Sequence, residues 1–276
     1  MENNNSIISE NEIPVIIPKR LMVISGHPDD EIISCGGTML KYQALGSEIF
    51  VVVATSGLGG YAKIEYKNEI ANQRKQELEL VRTTLKCNII ELGYSNLDVN
   101  REKISEITNL IRDIKPQVIL IPHYSDFHRV HRNLSLIAKE AIYHCSTGKA
   151  YGGSGRNWTP LGVYYYESPS CKFQYVEGSV FIVVDIEKYW SKKKEIFNTI
   201  YLSQKEVLER VLEWANDTAT FSTSAAIARV VFKFEEDESV IRGFLGLAEY
   251  FHTVVIKVKD QFYIPHASIL FNLVSS

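Results

Sequence analysis

The residues best suited to chemistry lie in Val23-Ile24-Ser25-Gly26-His27-Pro28-Asp29-Asp30-Glu31, an apolar run ending in one histidine and three carboxylates. Charge at the end of a buried strand is costly unless it has a partner, and a divalent cation is a partner that would use His27 and Asp30 together. A second cluster follows another apolar run. Val118-Ile119-Leu120-Ile121-Pro122 leads into His123, Asp126, His128 and His131, so three of the seven histidines fall within nine positions. With a helix from Arg129 onward, His128 and His131 share a face and can approach one cation.

Bringing two distant clusters together requires a scaffold, and the hydrophobic pattern supplies one. Strands are predicted at 21–25, 49–54, 88–92 and 118–121, and helices at about 32–45, 67–86, 101–115 and 129–144. This alternation predicts an α/β fold: a Rossmann-like, doubly wound, mostly parallel sheet with helices on both faces and C-terminal elaborations. In such sheets ligands sit beyond the carboxyl ends of the strands. His27 and Asp30 follow the first strand, Gly57-Leu58-Gly59-Gly60 the second, Asp98 the third and His123 to His131 the fourth. All are expected on one edge. The glycine-rich stretch has neither GxGxxG spacing nor a Walker lysine-serine pair, and reads as a tight turn or rim rather than a nucleotide cradle.

Gly26-His27-Pro28-Asp29-Asp30-Glu31, then Cys35-Gly36-Gly37-Thr38, then Asp126-Phe127-His128-Arg129-Val130-His131, resemble the signature blocks of the zinc-dependent LmbE/PIG-L family of de-N-acetylases. The resemblance runs from about Lys19 to His131 and resumes weakly near Phe181 and Gly243. It implies removal of acetyl from an N-acetylglucosamine-type sugar or glycoconjugate. His27, Asp30 and His131 match the metal ligands, Asp29 the general base toward the nucleophilic water, and His128 the histidine that stabilises the oxyanion and can protonate the leaving amine. Arg74, within Arg74-Lys75-Gln76-Glu77, and Asp98 match substrate-contacting positions. Zinc is the metal the resemblance implies, and iron or cobalt suit the same ligands. Two histidines and a carboxylate leave a coordination position open and lower the pKa of bound water toward about 7.

One departure stands out. The family pattern is His-Pro-Asp-His, with the aspartate orienting the first histidine; here Val130 occupies that place and cannot hold an imidazole. Asp126 is the candidate to act from the other side. The bland reading of Asp29 is a cap for the following helix; for Arg74 it is an exposed helix salt bridge, and for Asp98 a turn cap. Glu31 fits a helix start or a group behind the ligands.

With 276 residues, 45% of them hydrophobic, the chain can build a sizeable core, read as one domain over 19–276 behind a flexible Asn/Ser/Glu-rich leader, 1–18. A net charge of −3 with interspersed signs provides no basic field for nucleic acid. The longest apolar run falls short of the roughly 20 residues that span a bilayer, so no membrane partner and a cytoplasmic location are expected. Cys35, Cys87, Cys145 and Cys171 are widely spaced, which suits reduced thiols rather than a disulfide framework. Homo-oligomers are implied only by the resemblance.

Further along, 148–155 reads as a glycine-rich loop, 163–166 as a strand with one face in the core, 180–184 as a strand and 187–202 as an amphipathic helix with a solvated Lys192-Lys193-Lys194 patch. A helix is expected over 204–214 and a loop or lid over 216–224. Arg242 to Phe251 resembles the family's closing helix, and His144, His252 and His266 read as structural or surface groups. Two other classes compete with the enzyme reading: a catalytically silent metal-binding or regulatory module, which Val130 favours, and a nucleotide-binding domain, which the missing glycine fingerprint disfavours.

Overall fold

The computed structural model describes residues 17–61, 63–147, 156–171, 181–205, 207, 229–231, 246–258, 261–263 and 270–272. Five strands form a parallel core: β1 (Arg20–Ser25), β2 (Glu48–Thr55), β3 (Asn88–Tyr94), β4 (Val118–Pro122) and β5 (Gly162–Tyr166). Between them run α1 (Asp30–Ala44), α2 (Ile70–Leu85), α3 (Arg101–Ile114) and α4 (Arg129–Thr147), with a 3-10 turn at Ile64–Asn68. Then come β6 (Phe181–Asp185), α5 (Glu187–Ile200), β7 (Arg229–Val231), β8 (Gly246–Val258), β9 (Gln261–Tyr263) and β10 (Leu270–Asn272).

The sheet order is β10-β6-β8-β5-β4-β1-β2-β3, with β7 and β9 on β8. The α/β architecture is therefore as expected, with helices on both faces. Alternation along the strands decides which helices go where. Leu21 and Val23 of β1 pack under Ile32, Ile33 and Met39 of α1, Leu78 and Val81 of α2, and Ile196 and Phe197 of α5. Met22 and Ile24 face the other way, against Ile104, Ile107 and Ile111 of α3 and Leu134, Ile137 and Ala138 of α4. Since both faces of β1 and β4 are covered, their sequences read as continuous apolar runs, the signature of central parallel strands.

β1 pairs with β2 on one side and β4 on the other. The direction in which the chain builds the sheet reverses between β1 and β4, and at such a switch point the loops leaving the strands diverge to opposite faces and open a crevice. The turn at 26–29 and the loop at 123–128 flank that crevice.

Three expectations need correction. The stretch resembling a closing helix is a strand: 246–251 belongs to β8, antiparallel to both β5 and β6. Its Ala-Glu pair suggested helix, but Tyr250-Phe251-His252-Thr253-Val254-Val255-Ile256 is aromatic and β-branched, and two flanking strands supply the ladder. β5 is buried on both faces, with Tyr164 and Tyr166 in the core beside α1 and α5, and Val163 and Tyr165 in the core beside α3 and α4. Within the lysine patch, Lys192 and Lys194 are exposed while Lys193 is fully buried, its stem packed beside Gly36. The glycine-rich loop at 148–155, the 216–224 loop, most of the 204–214 helix and His266 lie outside the described residues. Among the described residues no helix is long and apolar enough to cross a membrane.

Candidate functional site

The turn after β1 is backbone-strained. Asp29 has φ 117° and ψ −35°, a region an L-residue adopts only when its surroundings impose it. Its carbonyl accepts the Ile32 and Ile33 N–H groups at 3.0 and 2.9 Å and so starts α1, but its carboxylate makes no capping bond. That leaves the side chain for something other than a cap. Distant residues tie down the strand end: Thr55 Oγ1 donates to the Gly26 carbonyl at 2.8 Å and Tyr166 Oη to the Ile24 carbonyl at 3.0 Å.

Across the switch point three donor atoms converge. His27 Nδ1 lies 3.2 Å from Asp30 Oδ2, His131 Nε2 lies 3.1 Å from the same oxygen, and the two ring nitrogens are 3.3 Å apart. Ligand atoms around a tetrahedral ion with bonds of about 2.0–2.1 Å are separated by about 3.3 Å, so this triangle already has the edges of such a coordination shell. The His27 N–H donates to Asp30 Oδ2 at 2.8 Å, locking the carboxylate against its own turn. Gly26 is what lets His131 approach: a Cβ there would stand 2.8 Å from His131 Cδ2 and 3.1 Å from Val130 Cγ1.

Asp126 orients the far side. Its Oδ2 lies 2.9 Å from His131 Nδ1, leaving Nε2 pointed at Asp30 and His27, and its Oδ1 accepts the His128 N–H at 2.7 Å. Ser168 and Ser170, from the turn after β5, donate to the two oxygens at 2.5 and 2.6 Å. A carboxylate that fixes a ligand histidine's tautomer is the usual support for a metal site. Asp126 thus stands behind His131; toward His128 it holds the backbone N–H, and Val130 leaves the imidazole without an aspartate partner from that position.

The electrostatics suit a cation. Burial would raise Asp30, but the charges and hydrogen bonds of His131 and His27 outweigh it and hold the group well below the usual carboxylate range. Burial also acts against Asp126 ionising, and the His131, Ser168 and Ser170 bonds bring it down to about 2. His131 would be lowered by burial, yet Asp30 and Asp126 push it up to about 10. Two carboxylates that favour a proton on a buried imidazole so strongly favour a divalent cation at the same place. The residues fit a metal.

His128 is different in kind. Its ring is exposed toward solvent, meets the His27 ring edge-on at a centroid distance of 4.8 Å and lies 4.7 Å from the His131 ring. Partial burial and the neighbouring histidine charges lower it to about 4, so it is a neutral imidazole near pH 7. The His27, His128 and His131 nitrogens all fall within 4.8 Å of one another, which also makes these three a possible metal-holding group. The 3.1–3.3 Å triangle through Asp30 is tighter, and it leaves His128 beside the shell rather than in it.

Asp29 is buried, and burial followed by the Asp30 charge raises it to about 7 against the opposing pull of Arg74. Arg74 Nη1 donates to the Pro28 carbonyl at 2.5 Å and sits 3.7 Å from Asp29 Oδ2. Arg74 is 3% exposed, neither an exposed helix salt bridge nor open to solvent. The Gly57 to Gly60 loop wraps its guanidinium: Gly57 has φ +64°, and a Cβ there would lie 2.8 Å from Nη1. Glu31, also fully buried, is pushed by burial up to about 8, opposed by its bond from Tyr201. Asp98 is exposed in the segment after β3 on the same sheet edge.

Comparison with known proteins bears on identity. The family profile for GlcNAc-PI de-N-acetylase, PIG-L, matches residues 22–142, a span that contains both clusters. The match covers less than half of the chain, and over those residues the chain resembles the PIG-L family. A diacetylchitobiose deacetylase of Thermococcus kodakarensis is 29% identical over 131 residues, 45% of this chain and 49% of that protein. A 1D-myo-inositol 2-acetamido-2-deoxy-alpha-D-glucopyranoside deacetylase of Rhodococcus erythropolis is 25% identical over 181 residues, 53% of this chain and 60% of that one. The chain thus spans about half to three fifths of the length of these curated PIG-L relatives. Among solved structures, the N,N'-diacetylchitobiose deacetylase of Pyrococcus horikoshii superposes with a TM-score of 0.59 at 22% identity, over 73% of this chain and 80% of that one. The 4-carboxy-2-hydroxymuconate hydratase of Pseudomonas putida superposes with 0.61 at 15% identity, over 88% and 98%. The PIG-L fold therefore also carries other chemistry, and the choice of reaction rests on the site.

Sequence reasoning missed Ser168 and Ser170, which lie outside the histidine clusters and matter only because the turn after β5 meets Asp126. It also gave no sign of Tyr201, which donates to Glu31 from 170 positions away.

Proposed function

We propose that this chain is a metal-dependent amide hydrolase that removes the acetyl group from an N-acetylglucosamine-type sugar or glycoconjugate. The observation that carries the reading is the tetrahedral-edged triangle of His27, Asp30 and His131 with a buried carboxylate, Asp29, beside it and free of capping duty. The names of the PIG-L relatives supply the substrate class.

A divalent cation held by His27, Asp30 and His131, with zinc the first choice, would supply Lewis acidity toward both the amide carbonyl and the attacking water. Asp29 takes the proton from that water; a carboxyl raised to about 7 is matched to this task near neutral pH. His128, neutral at that pH, donates a hydrogen bond to the oxygen that develops negative charge as the carbonyl carbon becomes tetrahedral. The C–N bond then breaks, the carboxyl product leaves as acetate, and the amine departs with the proton carried by Asp29. A group lowered to about 4 is a poor proton store, so the protonation of the amine falls to Asp29 in place of His128. Arg74 supports the Asp29 turn through the Pro28 carbonyl, and Asp98 contacts sugar hydroxyls from the rim.

The test is acetate release by zinc-loaded protein from N-acetylglucosamine, diacetylchitobiose and an N-acetylglucosaminyl-inositol, with Asp29→Asn protein as the blank. Release that a chelator abolishes and the variant lacks supports the reading. Tight binding of one metal without release from any of the three contradicts it and favours a silent metal-binding module, the role that Val130 beside an unoriented His128 would suit.

A further inference from the structure

Just beyond α5, three of four consecutive residues reach three separate supports of the proposed active site. Tyr201, fully buried, donates its hydroxyl to Glu31 Oε1, and the other oxygen of Glu31 accepts the Asp29 N–H at 3.1 Å. Ser203 gives Glu77 its N–H at 2.8 Å and its hydroxyl at 2.7 Å, and Glu77 lies one helical turn from Arg74 on α2. Gln204 Nε2 donates to the Gly60 carbonyl at 3.0 Å, in the loop that wraps the Arg74 guanidinium. Arg74 in turn holds the Pro28 carbonyl.

These contacts converge on the residue with the least favourable backbone. Asp29 at φ 117° keeps that conformation only if its N–H and the preceding carbonyl are both held, and the first is held by Glu31 and the second by Arg74. Glu31 is a fully buried carboxyl whose oxygens both accept bonds, one from the backbone it supports and one from Tyr201. Without the Tyr201 hydroxyl the buried carboxyl would lose its side-chain donor, and its grip on the Asp29 N–H would loosen. We propose that residues 201–204 act as a latch that positions the Asp29 turn, with Tyr201 as the positioning residue acting through Glu31 and with Ser203 and Gln204 acting through Glu77 and Gly60. The catalytic significance of the latch rests on the deacetylase reading; its structural action does not.

The two can be tested apart in zinc-loaded full-length protein. Tyr201→Phe keeps the ring that fills the core and removes only the donor. Deuterium uptake is followed in the peptides 26–33 and 104–114, with turnover measured on whichever amide the parent hydrolyses. The latch requires uptake about threefold to tenfold faster in 26–33 alone, the value of one buried hydrogen bond, and kcat lower by about tenfold with KM unchanged. Uptake in 26–33 equal to the parent's, or faster to the same degree in both peptides, overturns the proposal, as does an unchanged kcat in an active parent. A parent that hydrolyses no amide defeats the deacetylase reading while leaving the uptake comparison decisive. Should Tyr201→Phe fail to fold, Ser203→Ala, which removes the hydroxyl bond to Glu77 from a half-buried position and leaves the backbone N–H bond in place, gives the same readout: faster uptake confined to 26–33 is required, and its absence overturns the latch.

Discussion

In the turn after β1 the side chains of Glu31 and Asp29 find partners far along the chain, at Tyr201 and Arg74, whereas in the loop after β4 a single carboxylate, Asp126, collects the neighbouring His128 N–H, the His131 ring and two serines. The β1 turn is strained and externally braced; the β4 loop is relaxed and mostly braced from within and from the adjacent strand. The difference follows from what each side must hold. In the proposed mechanism a base has to stay near the reacting water without becoming a ligand, and the unusual backbone angle at Asp29 suits that role by setting its side chain apart from that of Asp30. A ligand histidine needs only the right tautomer and ring plane, and one aspartate supplies both.

Substitutions on the two sides should therefore separate into different classes of effect. The largest is at the base. Asp29→Asn is expected to lower kcat by about 10² to 10⁴-fold while the protein still binds one metal ion, measured by turnover and by metal analysis of the same sample. Loss of metal in this variant would erase the distinction between the two acidic neighbours. Asp126→Ala comes next: about 10 to 100-fold in metal affinity, read by competition with a chromophoric chelator, because His131 loses the partner that fixes its tautomer. Gly26→Ala forces a Cβ against His131 and should cost about 1–3 kcal/mol in chemical denaturation of the metal-free protein, with weaker metal binding as well. Asp98→Ala is the smallest, with stability changed by less than about 0.5 kcal/mol and the effect confined to KM, as befits an exposed residue on the rim.

Much of this arrangement was legible from the residues alone. The four strand-helix pairs through 147 begin and end within a few residues of where alternation and helical periodicity put them, because each central strand is apolar throughout and each helix carries one apolar face. The convergence of His27, Asp30 and His131 followed once both clusters were assigned to strand ends on one sheet edge. The supports were less legible. Tyr201 and Ser168 are ordinary residues in sequence and acquire meaning only from contacts spanning 170 and 42 positions. The Gly57 to Gly60 loop read as a simple rim because its true neighbour, the Arg74 guanidinium, lies on a different element. The strand β8 was misread because a short alanine-glutamate block in 242–251 outweighed the β-branched run beyond it, and sheet pairing from both sides overrides such local preference.

The central claim is that His27, Asp30 and His131 hold one ion whose presence switches on amide hydrolysis. Its most direct test is a titration of zinc into metal-stripped protein while acetate release from the best of the acetamido sugars is recorded. The account expects release to climb linearly and level off at one equivalent per chain, and to be abolished by Asp30→Ala at that same zinc level. Release that is independent of added metal, or a protein that takes up one equivalent and remains silent toward every acetamido sugar offered, would contradict it.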